Sequence, residues 1–307
     1  MQNTEKPVLI IVAGPTAVGK TALSISLAQY FNAEIISADA RQFFKEMEIG
    51  TAKPSQSELN AVKHHFINCK SITESYSAGD FERDVDIFLE NYFKTKKVAI
   101  LCGGSGLYIN AVLCGLDPMP TTPAHIRKGL MDRLSKEGLA VLQSELLTLE
   151  PDIEQIIDIQ NPQRVVRALE VNLHTGHNFA LLRKDTEKKL PYSVIKIGLE
   201  LPREELYARI NSRVDVMMKS GLLAEVTRLK EFKHLNALQT VGYSELFAHL
   251  NQEITLERGV ELIKQNTRRY AKRQLTWFKN KDTFEWFIPT DVDKIIAFLG
   301  SAEKLIK

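Results

Sequence analysis

The segment Gly14-Pro15-Thr16-Ala17-Val18-Gly19-Lys20-Thr21 restricts this chain more than any other, because it fits the G-x-x-x-x-G-K-[ST] spacing between a strand and a helix. The preceding run Val8 to Ala13 is continuous, apolar and rich in β-branched residues, the pattern of a strand buried on both faces. Ala22 to Phe31 follows with helical spacing. In such a turn the N–H groups of the loop and of the helix N-terminus converge on one point and favour an anion there. Lys20 adds a full positive charge for an outer phosphate, and Thr21 offers a hydroxyl to magnesium. Gly14, Pro15, Thr16, Ala17, Val18, Gly19, Lys20 and Thr21 are therefore candidate ligands of a di- or triphosphate, with Mg2+ as the implied cofactor at Thr21. A glycine-rich turn with no ligand is the bland alternative, and the flanking strand and helix argue against it.

Further strands are expected at Glu34 to Asp39, Lys97 to Cys102, Val194 to Leu201 and Phe284 to Ile288. Strands alternating with helices predict an α/β fold, a P-loop-type, mostly parallel sheet with helices on both faces. Between Pro118 and Leu190 the strand signals stop and helical segments take over. The clearest helix starts at Asn161 as N-cap, has Pro162 at its first position and stops at Gly176. The expected organisation is a catalytic core of residues 1–117 and 191–307, interrupted by an all-helical insertion of residues 118–190.

Charged residues make up 25% of the chain but the net charge is only +2, so any basic surface that meets a polyanion must be local. Cys69, Cys102 and Cys114 show neither a metal spacing nor a disulfide framework, which suits a reducing cytoplasm, and Cys102 reads as a buried thiol. No stretch is long and apolar enough to span a bilayer, and the N-terminus does not read as a secretory signal. His64 and His65 are adjacent on a strand, point to opposite faces and have no evident carboxylate partner, so they read as structural. His174 and His177, near a helix end, read as capping or surface residues. Met217 and Met218 read as helix packing.

An ATPase-like apolar strand ending in aspartate is not evident, but Asp39 ends the second strand and can fill that role. The loop Gly103-Gly104-Ser105-Gly106 ends the next strand, where open α/β sheets bind ligands. With these comes an ordered series: Ser37-Ala38-Asp39 with Arg41-Gln42; Ile49-Gly50-Thr51-Ala52-Lys53-Pro54; Tyr76-Ser77-Ala78 with Asp80-Phe81; and Gly103 to Tyr108. It continues with Asn161-Pro162-Gln163-Arg164, Arg167-Ala168-Leu169-Glu170, Val241-Gly242-Tyr243, Thr267-Arg268 and Tyr270-Ala271-Lys272-Arg273-Gln274. This series, spread over nearly the whole chain, resembles the tRNA dimethylallyltransferases, also called isopentenyl-tRNA transferases. Ala40 stands where that family usually has serine, Phe44 where it has tyrosine, and Ser105 where threonine is common. Two hydroxyls expected near the reacting base are thus missing.

The resemblance implies transfer of a dimethylallyl group from dimethylallyl diphosphate to the exocyclic amine of the adenine just 3′ of a tRNA anticodon. Asp39 is then the general base, Ser105 binds the amine or a phosphate oxygen, and Arg213 joins the phosphate loop on the leaving diphosphate. The adenine must leave its stack to be reached. By the same resemblance the tRNA anticodon loop meets Asp39, Ala40, Arg41, Gln42, Ser105, Arg127, Gln163, Arg164, Val165, Val166, Arg167, Gly242, Tyr243, Arg268, Lys272 and Arg273.

Beside the resemblance, Arg164 and Arg167 fall on one helical face, which by itself reads more readily as a solvated surface than as a phosphate track. Lys264 to Lys281 holds seven basic residues and no acidic one, while Ile263, Tyr270 and Trp277 recur every seven residues and are expected to face the core. That leaves Arg268, Lys272 and Arg273 for a salt-sensitive RNA surface. The simplest stoichiometry is one tRNA on a monomer. Two rival readings remain at this level: a P-loop kinase of small molecules or nucleotides with the insertion as its lid, and an RNA-binding protein whose phosphate loop is vestigial.

Overall fold

The structure, a computed structural model, describes residues 6–183 and 188–306, the last five by backbone alone. The chain forms two compact units, Gly115–Lys188 and the remainder.

In the larger unit, six strands among the described residues form one sheet, β1 (Val8–Ala13), β2 (Ile35–Ser37), β3 (His64–His65), β4 (Val98–Gly103), β5 (Ser193–Leu199) and β6 (Glu285–Phe287). Their order is β3-β2-β4-β1-β5-β6, and all pairs are parallel. β1 is wholly buried, as its unbroken apolar run requires. Val8, Ile10 and Val12 enter one core with Leu23 and Leu27 of the helix Lys20–Phe31 and with Leu206 and Ile210 of the helix Arg203–Lys219. Leu9, Ile11 and Ala13 enter a second core with Phe81, Val85 and Leu89 of the helix Ala78–Tyr92. The two-residue alternation of β1 thus places helices on both faces of the sheet.

A third core gathers Phe44, Met47, Val214, Leu222, Tyr243 and Ile263. The long helix Leu256–Lys281 contributes to all three, through Ile263, Ala271 and Phe278. Two site expectations are corrected here. Tyr243 has no exposed surface and Gly242 is buried beside it, so neither side meets an RNA. Phe44 is 5% exposed and packs in the same core, so its ring serves packing there and does not stand open to a reacting base.

The histidine pair also needs correction. β3 pairs with β2, and this brings His65 Nε2 to 2.5 Å from Glu34 Oε2, the carboxylate partner that neighbouring sequence does not reveal. His64 Nδ1 lies 2.8 Å from the Val62 carbonyl.

The smaller unit is helical, with Ala124–Glu137, Leu139–Leu149, Pro162–Thr175 and Phe179–Leu182. Asn161 Oδ1 accepts from the N–H groups of Gln163 and Arg164, and Gly176 closes that helix in the left-handed region at φ 69°. Val165, Val166 and Leu169 pack in this unit's own core against Leu130, Leu142 and Leu146. Val165 and Val166 are fully buried, so they hold the helix in place and are removed from the expected RNA contacts. Among the described residues no helix is long and apolar enough to cross a membrane.

Candidate active site

Sheet register sets the site. Ala13 of β1 pairs with Gly103 of β4, and Ser37 of β2 pairs with Cys102 of β4, so three strands end side by side and release three loops. Their closeness depends on Gly103. A Cβ built there would lie 2.1 Å from the Ala38 carbonyl oxygen, which no side chain tolerates. Ala38 N–H then donates to the Cys102 carbonyl and Ser105 N–H to the Ala38 carbonyl.

A cleft of about 340 Å³ opens over these strand ends. Thr16, Ala17, Gly19, Lys20, Thr21, Asp39, Gln42 and Arg213 are among its walls. Of the phosphate-loop candidates, Gly14, Pro15 and Val18 stand behind this surface: Val18 is buried in the first core, and the Gly14 and Pro15 carbonyls accept from Lys20 Nζ at 3.0 and 2.8 Å. Burial pulls the Lys20 ammonium down to about 8, against the opposing pull of Cys102 and Asp39. Burial likewise lowers Arg213, with Glu58 opposing. Cys102 packs against the first core, as expected of a buried thiol, and also borders the cleft; burial raises its thiol while Lys20 opposes.

Asp39 Oδ1 accepts from the Arg41 N–H at 2.9 Å, which fixes the carboxylate at the mouth of β2. Ser105 Oγ accepts from the Ala40 N–H at 3.0 Å. Ala40 therefore contributes its backbone, and the missing serine hydroxyl leaves this bond intact. Tyr270 lies within hydrogen-bonding reach of Ser105; burial and then the Asp39 charge push its phenol up to about 12. Burial lowers the Arg41 guanidinium, with Tyr108, Asp39 and Tyr270 opposing.

The Thr21 hydroxyl faces the cleft and has no protein hydrogen bond among the described residues, so it suits a magnesium ion that also takes phosphate oxygens. The described residues hold no cluster of three or more histidine, cysteine or acidic side chains for a metal held by protein alone.

The other expected RNA residues divide. Gln42 is engaged internally, accepting from Ser37 Oγ at 3.0 Å and donating to the Thr51 and Ala52 carbonyls at 3.3 Å each. Arg268 donates to Asn211 Oδ1 at 2.6 Å and lies over the Tyr207 ring. Lys272 and Arg273 are exposed. In the helical unit, buried Glu170 takes Arg127 at 2.8 Å and lies 3.8 Å from Arg167, while Arg127 also donates to Gln163 and Arg167 to the Pro120 carbonyl. Arg164 is exposed with no side-chain partner among the described residues.

Three residues of the site escaped the sequence reading. Tyr270, placed on the core side by its seven-residue spacing, lines the cleft and is 37% exposed. Gln274 lines it too, and its amide bonds both the phosphate loop and the glycine loop. Glu225, fully enclosed, accepts from the N–H groups of Glu48, Ile49 and Gly50 and so anchors the Thr51–Pro54 wall. The signal for the first two was present, since both belong to the Tyr270-to-Gln274 motif.

Residues 42–281 match the family profile described as IPP transferase. A tRNA dimethylallyltransferase of Christiangramia forsetii is 48% identical over 279 residues, covering 91% of this chain and 92% of the relative. The chain belongs to the tRNA dimethylallyltransferase family. Its fold agrees with that membership. The full-length tRNA isopentenylpyrophosphate transferase of Bacillus halodurans superposes with a TM-score of 0.72 at 35% identity, covering 99% of this chain and 98% of that one. A eukaryotic dimethylallyltransferase acting on tRNA gives a TM-score of 0.74 at 29% identity over 94% of this chain and 75% of that one. This dimethylallyltransferase family member keeps the P-loop, Asp39 and the glycine loop together in one cleft.

Proposed function

We propose that this chain is a tRNA prenyltransferase that moves the dimethylallyl group of dimethylallyl diphosphate to the exocyclic amine of the adenosine immediately 3′ of a tRNA anticodon. The observation that carries this reading is the opening of a phosphate cradle and a lone strand-end carboxylate, Asp39, into one cleft. The N–H groups of the loop, with Lys20 and Arg213, stabilise the charge that gathers on the departing diphosphate. Thr21 would hold a magnesium ion, which would supply further positive charge to the departing diphosphate. As the allylic C–O bond breaks, the amine nitrogen forms the new C–N bond, and its proton passes to Asp39. Ser105, held by Ala40 and neighbouring Tyr270, steers the amine towards that carboxylate.

RNA footing comes from the exposed basic side of the helix Leu256–Lys281, with Lys272 and Arg273, and from Arg164 in the helical unit. Arg127, Gln163 and Arg167 support it as a network preorganised on Glu170.

The test is incubation of the protein with magnesium, labelled dimethylallyl diphosphate and unmodified tRNA bearing adenosine 3′ of its anticodon, followed by mapping of the label. Label on that adenosine is the expected result. ATP turnover with a small-molecule acceptor and no labelled tRNA would replace this reading with a kinase.

A further inference from the structure

The sheet holds the phosphate loop and the glycine loop in register only as far as the pair Ala13 and Gly103. Beyond that pair, one side chain spans the gap. Gln274 Oε1 accepts from the Thr16 N–H at 2.8 Å, and Gln274 Nε2 donates to the Gly104 carbonyl at 2.8 Å. Among the described residues no other hydrogen bond joins residues 14–19 to residues 103–106. Gln274 is only 7% exposed, and its helix is seated in the cores on either side by Ala271 and Phe278.

Chemistry restricts what could replace it. A neutral amide accepts and donates at once, whereas glutamate only accepts, lysine only donates and methionine does neither to any useful degree. The far side of the contact is equally fitted: a Cβ at Gly104 would lie 2.3 Å from Gln274 Nε2.

We propose that Gln274 is a positioning residue for prenyl transfer: one buried amide keeps the loop that holds the donor's diphosphate in register with the loop that carries Ser105. The proposal rests on the functional reading above. Donor and acceptor groups reach the cleft on different loops, and an error of about 1 Å in their separation can slow a reaction about 100-fold without much change in binding. Gln274 touches neither reacting atom in this scheme. It acts through the backbone of both loops.

Two variants test this from opposite sides. Gln274→Met keeps the volume and removes both hydrogen bonds, and Gly104→Ala displaces the amide while leaving Gln274 in the chain. For each variant and for the double variant, kcat, both KM values, inorganic diphosphate binding by calorimetry and the melting temperature are measured. Each single variant is expected to lower kcat by about 10- to 100-fold, with diphosphate affinity changed less than about threefold. The double variant is expected to be no slower than the worse single one, because both changes break the same contact. Unchanged kcat in Gln274→Met overturns the proposal, as do losses that multiply in the double variant. A fall in melting temperature with normal kcat also overturns it, since Gln274 would then be a structural prop. If the wild-type protein transfers no allyl group, the functional reading falls and takes this proposal with it; an active wild type with unchanged variants removes the register alone.

Discussion

Tyr243 Oη donates a 2.6 Å hydrogen bond to Glu225 Oε1, deep beneath the Glu48–Gly50 turn whose three N–H groups the same carboxylate accepts. Tyr243 thereby supports the cleft from below. Burial first, and then this bond, hold its phenol far above the usual range for tyrosine. Tyr243→Phe should cost about 1–3 kcal/mol of stability, because it leaves Glu225 one donor short. Glu225→Ala should cost about 3–5 kcal/mol, because the turn's three N–H groups lose the carboxylate that accepts from them. Urea unfolding checks both, and equal costs would show that the three bonds from the turn add nothing to stability.

Asp39→Asn should reduce prenyl transfer by about 100- to 10,000-fold while tRNA affinity stays within about threefold. The amide can still accept from the Arg41 N–H, so the loop keeps its shape while the base is lost. Single-turnover rates beside a filter-binding titration decide this. A preserved rate would remove Asp39 as the base.

Lys20 predicts opposite pH trends for binding and stability. Its folded value, about 8, lies below the ordinary 10.5 because burial penalises the ammonium. Between those limits the unfolded chain holds the extra proton, so stability rises with pH. Affinity for dimethylallyl diphosphate should be level below about 8 and fall above it, by up to about tenfold per pH unit, as the ammonium is lost. Calorimetry and thermal melts across this range test both slopes, and Lys20→Met should flatten both. Parallel slopes in the wild type would refute the assignment.

Arg164→Ala tests RNA footing without disturbing a protein contact. It should weaken tRNA binding about fivefold, lower the salt slope by about one and leave diphosphate binding unchanged. Arg167→Ala should also destabilise the helical unit, since Arg167 holds the Pro120 carbonyl and neighbours Glu170. A tRNA titration in a series of salt concentrations separates the two. Equal affinity at every salt concentration would take Arg164 off the interface.

The parts legible in the sequence are those written in short stretches. β1, the phosphate loop and the helix Lys20–Phe31 follow one another without a break, so motif and periodicity report the same thing. The helix from Asn161 to Gly176 was equally plain, because cap, proline and terminal glycine are all local. What lay between distant elements was not legible. Glu34 and His65 meet only because β2 and β3 pair, and Glu225 meets the Glu48–Gly50 turn across most of the chain. Tyr270 escapes periodicity for a different reason. A seven-residue period identifies one side of a helix, and that side of Leu256–Lys281 passes over core at Ile263, over the cleft at Tyr270 and over core again at Trp277. Val165 and Val166 lie between arginines of one motif yet are buried, because residues adjacent in a helix diverge by about 100° and can face opposite environments.

The placement of β5 beside β1 has a consequence during synthesis. β1 pairs with β4 on one side and with β5 on the other, and Val8 meets Ser193 only after the entire helical unit has been made. At 5–20 residues per second the ribosome takes roughly 5–20 s to travel from β4 to β5. For that interval the most apolar strand of the sheet has one unpaired edge, the kind of surface that attracts other nascent chains. The helical unit, which has a core of its own, can fold within the same interval. A chaperone that shields the β1 edge would therefore act most usefully after residue 103 has emerged and before residue 199 has, and slow codons inside the helical segment would lengthen the exposure.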